Sequence, residues 1–102
     1  MPGYFIIDDN GHPLRVHDIL AWARWFESSK GRVVAQDQVD TVRVSTVFLG
    51  LDHNWGDGDP ILWETMIFGG PHDQYQTRYS SLADAIAGHA AALAMALRTE
   101  DA

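Results

Sequence analysis

The sequence predicts an α+β fold. It is read as a two-layer sandwich in which an antiparallel meander sheet of four to five strands carries two helices on one face, in the order β-α-β-β-β-β-α. Three observations lead there. Apolar residues recur at helical spacing in two segments, one near each end of the chain. Between them lie apolar runs with strand-like alternation. Those runs are joined by short stretches of Gly, Pro, Asp and Asn, which make turns rather than crossover helices.

Gly3 to Asp8 contains Tyr4, Phe5, Ile6 and Ile7 and suits a short strand. Asp9-Asn10-Gly11-His12-Pro13 is a turn signal, since Asn-Gly supplies positive φ and Pro fixes the exit. The chain is then expected to enter a helix from Asp18 to Lys30. Asp18 is its N-cap, Ile19, Trp22, Ala23 and Phe26 are its apolar face, widened by Leu20 and Trp25, and Gly31 is its stop. Arg32 to Val39 is a strand weakened by the polar run AQDQ, and Asp40 turns the chain into VRVSTVFLGL. The next strand is ILWETMIF. Gly69 to Asp73 is a turn, and Gln74 to Tyr79 is the returning strand. Ser81 and Asp84 resemble a capping box opening the last helix. Leu82, Ile86, His89, Leu93 and Leu97 mark its expected buried stripe, and the tail from Thr99 is expected to fray.

A chain of 102 residues forms a single domain, residues 1–102, and can build one core without staples. Its apolar fraction of 46% and charged fraction of 21% are those of a folded protein. There are no cysteines, which removes disulfides, thiolate metal sites and a Cys nucleophile. The formal charge of −7 and the lack of any basic patch argue against direct nucleic-acid binding. The acids are scattered, which also disfavours an acidic mimic of a phosphate backbone. MPGYFIIDD has no basic region before its apolar run and is not read as a signal peptide. No apolar run reaches membrane-spanning length, so no membrane partner is expected.

Three places could carry chemistry. The first is the polar loop from Asp52 to Pro60, with Asp52, Asn54, Asp57 and Asp59 as oxygen donors. It fails the EF-hand pattern, because Gly56 stands where an oxygen ligand belongs, Asp57 where Gly belongs, and Trp63 where the closing Glu belongs. These residues are weak metal candidates at best, and no cofactor is expected. The second is Glu64, a charge within an apolar strand. If Ile67 faces Tyr75, Glu64 lies opposite Arg78 and the two form a cross-strand ion pair. The third is aromatic. Trp55, Trp63, Tyr75 and Tyr79 are expected to join Glu64, Arg78 and Gln76 on one ligand- or partner-binding surface. A one-residue slip of register would reverse that placement. The histidines form no zinc-binding pair, and His89 is read as a hydrogen-bonded core residue.

The pieces STVFLGLDHN, ILWETMIFGG and RYSS leading into ADAIAGH, with Pro60 before the second of the long strands, resemble a family of small uncharacterised proteins encoded by bacteriophages and prophages of actinobacteria and other bacteria. The resemblance spans residues 44–89, with a looser match in the N-terminal strand and helix. The Asp residues of the 52–60 loop are additional to it. It implies a phage accessory protein acting in the host cytoplasm, and it implies no activity, cofactor or catalytic residue.

The expected function is therefore non-enzymatic binding or inhibition of a host protein or small ligand. A sheet face left bare by the helices would favour a partner or a homodimer. The alternatives are a metal-dependent hydrolase or nuclease using Asp52, His53, Glu64 and His72, and a virion or assembly component. The hydrolase requires its four groups to converge on one cavity.

Overall fold

The computed structural model describes residues 3–28, 32–54 and 56–100. Its elements are β1 (Tyr4–Ile7), β2 (Pro13–Val16), α1 (Ile19–Ser28), β3 (Val33–Val39), β4 (Val42–Phe48), β5 (Trp63–Phe68), β6 (Gln76–Tyr79) and α2 (Leu82–Glu100). The fold is α+β, as expected. The strands form a two-stranded hairpin, β1-β2, and a four-stranded antiparallel meander, β3-β4-β5-β6.

The hairpin adds a strand that the sequence pattern does not announce. Asp8 turns the chain: its Oδ1 accepts the amides of Asn10 (2.9 Å) and His12 (2.8 Å), and Gly11 takes φ +81°. The chain then doubles back, pairing Ile7 with Pro13 and Tyr4 with Val16, before it reaches α1. β2 was hidden because three of its four residues are exposed, so it has no buried face to impose alternation.

Asp18 caps α1, its Oδ1 accepting the amides of Leu20 and Ala21 at 3.0 and 3.3 Å. The expected end of that helix at Lys30 and Gly31 lies outside the described residues. Trp22 ties α1 down. Its Nε1 donates to the carbonyls of Phe5 (3.1 Å) and Gly50 (3.0 Å), and its ring stacks on Phe26. Gly50 has φ +76°, and a Cβ there would run into the Phe26 ring. β1 in turn hydrogen-bonds the stretch after β4, through Phe5 N to Gly50 O (2.8 Å) and Asp52 N to Gly3 O (2.9 Å). Trp25 meets Phe48 edge-on, with ring centroids 5.8 Å apart, so α1 lies on the same side of the sheet as α2.

The meander register sets what faces what. Phe48, Thr46 and Val44 on β4 pair with Trp63, Thr65 and Ile67 on β5, and Trp63 and Thr65 pair with Tyr79 and Thr77 on β6. This face lies under α2. The core divides into two clusters: Phe5, Phe48, Leu62, Trp63 and Ala85 towards the hairpin, and Val42, Val44, Ile67, Ala92 and Ala96 towards the far end.

The helix meets the sheet through a different stripe from the one expected. Ala85, His89, Ala92 and Ala96 are buried, whereas Ile86 and Leu97 are 56% and 45% exposed, with Leu82 and Leu93 half-buried at the flanks. Alanines let the helix axis approach the β4-β5 side chains closely. The larger residues are displaced to the sides, where there is room for them. No described helix is long and apolar enough to cross a membrane.

Two outcomes test this packing. A Cβ on Gly88 would collide with the hydroxyl end of Tyr79, which lies against the helix. Gly88→Ala should therefore destabilise by about 1–3 kcal/mol in urea unfolding, overriding the roughly 1 kcal/mol that Ala gains in helix propensity. The Asp8 carboxyl is held below its ordinary value of 3.8, chiefly by the His12 amide, then by the Asn10 amide and the His12 charge, against an opposing desolvation. A lowered folded-state value adds stability above the ordinary value and loses it as pH falls through the folded one. Acid unfolding curves of Asp8→Asn should accordingly show a shallower loss below about pH 4 than the parent chain.

Candidate functional site

The sheet has a second face, built by the alternate residues. Arg43, Ser45 and Val47 on β4 lie beside Phe68, Met66 and Glu64 on β5, and Glu64 and Met66 lie beside Arg78 and Gln76 on β6. Gln36 and Gln38 of β3 flank Ser45 and Arg43. Both helices lie on the opposite side. Val47, Met66 and Phe68 are only half-buried, so apolar side chains stand at the protein surface between charged ones.

The polar groups of this face are organised. Glu64 Oε2 accepts from Arg78 Nε (2.9 Å) and from Gln76 Nε2 (2.5 Å). The Glu64 side chain is 13% exposed against 43% for Arg78. The expected cross-strand pair is thus present, in the expected register. It holds the carboxylate in place along the sheet and satisfies a charge that would otherwise be costly there. The Arg43 guanidinium lies 4.6 Å from the centroid of the Phe68 ring, a cation–π contact that flattens the arginine against the face.

The aromatic part of the expected surface is not with these residues. Trp63 is 1% exposed and sits in the core beneath α2. Tyr79 packs against the same cluster, and Tyr75 packs against the second, its hydroxyl accepting from Thr77 Oγ1 at 2.8 Å. Strand alternation is the reason: Trp63 and Glu64 are adjacent, so they point to opposite faces. Trp55 lies outside the described residues. Met66 and Phe68, not Trp63, Tyr75 or Tyr79, stand beside Glu64 on the outer face. The i, i+2, i+4 relation to Glu64 was the available signal for them.

The 52–60 loop is closed by its own polar groups. Asp52 Oδ1 accepts the amides of Asn54 (2.7 Å) and Ile61 (2.9 Å). Asn54 donates to the carbonyls of Asp57 (3.2 Å) and Asp59 (2.9 Å) and accepts the Gly56 amide (2.9 Å). Asp57 and Asp59 are exposed. Asp52 and Asn54, weak metal candidates in the sequence, work here as turn-formers. Among the described residues no three His, Asp or Glu side chains group so as to hold a metal ion. The convergence that a hydrolase built on Asp52, His53, Glu64 and His72 requires is therefore not found.

His89 is a hydrogen-bonded core residue, as the sequence suggests, and its partners Thr46, Thr65 and Asp37 are ones the sequence does not name. His89, on α2, is 6% exposed. Its Nδ1 lies 2.7 Å from Thr46 Oγ1, which lies 2.5 Å from Thr65 Oγ1, while its Nε2 lies 2.7 Å from Asp37 Oδ2. A carboxylate only accepts, so Nε2–H donates to Asp37. In the neutral ring Nδ1 then accepts the Thr46 hydroxyl proton, and Thr65 donates to Thr46. The order hydroxyl, imidazole, carboxylate is that of a hydrolytic triad. Its hydroxyl, however, is on a side chain with no exposed surface, under a helix. No substrate reaches it, and the chain serves to fasten α2 to β3, β4 and β5. The signals were a histidine in an apolar helical stripe and an aspartate two residues from Val39 on the same strand face.

Comparison with protein-family models, with curated proteins and with solved structures gave no match.

The chain of hydrogen bonds predicts an order of damage. Thr46→Val strands both His89 and Thr65 and should cost about 1–3 kcal/mol, while Thr65→Val leaves Thr46 bonded to His89 and should cost about 1 kcal/mol or less. Chemical unfolding of the two variants measures the ranking.

Proposed function

We propose that this is a non-enzymatic binding protein that acts on a protein partner through the uncovered face of its four-stranded sheet. The observation that carries the reading is the composition of that face. Val47, Met66 and Phe68 stand at the surface between Arg43, Glu64 and Arg78, on the side away from both helices. Methionine, aromatic residues and arginine are the types enriched where proteins bind one another. The Glu64–Arg78 pair and the Arg43–Phe68 contact hold these side chains in fixed positions, which lowers the ordering cost of association.

The resemblance to phage and prophage proteins supports a host protein as that partner, met in the host cytoplasm, and an accessory or inhibitory role. A second copy of the chain stacked on the same face is the competing occupant.

The test compares Met66→Glu and Phe68→Glu with Ala90→Glu, which changes an exposed position of α2 on the far side of the molecule. A protein retained from a bacterial lysate by the parent chain and by the Ala90 variant should be lost with both sheet variants and should rebind when purified, with an affinity at least about tenfold weaker for the sheet variants. Light scattering separates the competing occupant: a doubled mass that the sheet substitutions abolish names a second copy as the partner. A monomer whose retained proteins are the same for all three variants overturns the reading.

A further inference from the structure

The geometry points to a second binding site, on the helix side of the molecule, for a small organic amine with an apolar body. It is independent of the sheet face. A cavity of about 350 Å³ opens between the β1-β2 turn, the start of β3 and the first two turns of α2. That volume lies at the lower end of the range for small-molecule sites. Its apolar walls are Ile7, Val34, Leu82 and Ile86, and its acidic end is Asp8 and Asp9.

Both parts of the ligand follow from these walls. Ile86 is 56% exposed at the cavity although it stands on the helix that closes the core, so an apolar ligand would remove aliphatic surface from water. The charge comes from the turn. Asp8 Oδ1 is taken by the Asn10 and His12 amides, while among the described residues Oδ2 meets the His12 imidazole, 3.9 Å away and itself 74% exposed. Asp9 has no side-chain partner among the described residues. The first turn of α2 adds a further carboxylate, Asp84. The Ser81 hydroxyl caps the Asp84 amide at 3.1 Å, so one of the helix's free N–H groups is already engaged. An ammonium group meets carboxylates here, and a carboxylate ligand would meet repulsion.

Phenethylamine is the probe, with phenethyl alcohol and phenylacetate as its neutral and anionic counterparts, each titrated into the isotope-labelled chain of residues 1–102 while backbone amide resonances are followed. The amine should give saturable shifts confined to residues 7–12, 34 and 82–86, with the alcohol at least about tenfold weaker and phenylacetate weaker still. Asp9→Asn should weaken the amine and leave the alcohol unchanged. Ile86→Lys changes an exposed position, puts an ammonium of the chain's own into the cavity, and should abolish amine binding with the spectrum otherwise intact. Equal affinity for amine and alcohol, shifts scattered over the surface, retention of amine binding by Ile86→Lys, or no saturable shift with any probe overturns the proposal.

Discussion

The structure depends on how closely α2 can lie on the sheet. Ala85, Ala92 and Ala96 offer almost no side chain at the contact; Ala85 packs with Phe48 and Trp63, and Ala92 and Ala96 with Val44 and Ile67, which have no exposed surface. Such closeness carries little specificity alone, since a stripe of alanines can slide or rotate at small cost. His89 supplies what they lack. Its ring reaches Thr46 on one side and Asp37 on the other, so the helix is fixed along its axis and around it. Buried polar groups are costly unless all are paired, and here each member has its partner. The network thus disfavours every docking in which His89 would be left without one.

The same closeness explains which parts of the fold were legible. Strand alternation and turn chemistry gave the meander and its β5-β6 register, because Glu64 opposite Arg78 is the arrangement that satisfies both charges. The helix caps at Asp18 and Ser81 were equally local. The buried stripe of α2 was not, because hydrophobicity ranks Ile86 and Leu97 above alanine and the contact selects on size. β2 was illegible for the opposite reason: its largely exposed strand carries no pattern, and its pairing depends on a turn that Asp8 closes.

The candidate site was legible in half. Glu64 and Arg78 stand where the sequence placed them, and Gln76 joins them. The tryptophan next to Glu64 is on the other side of the sheet, since neighbours in a strand cannot share a face. Composition pointed to β5 and β6, and strand alternation puts Trp63 and Tyr79 on the face opposite Glu64 and Arg78. A tryptophan buried among Phe5, Phe48 and Leu62 fills volume, while a surface position is filled by Met66 and Phe68. The acidic loop drew attention through its donors; the Asp52 and Asn54 side chains close the loop, while the carboxylates of Asp57 and Asp59 lie exposed.

Asp37 has an effect beyond holding His89. β3 is an outer strand of the meander, and an outer strand offers its free amides and carbonyls to any extended chain that approaches. Here the register shifts between Val33 and Ala35, which breaks the regular ladder, and Asp37 points its charge towards the helix side rather than away from the sheet. Both features make the strand a poor template for further strand addition, and so for the stacking that leads to aggregates. The carboxylate that anchors the helix from below therefore also discourages a further strand from joining at β3, so one group serves both the core and the edge.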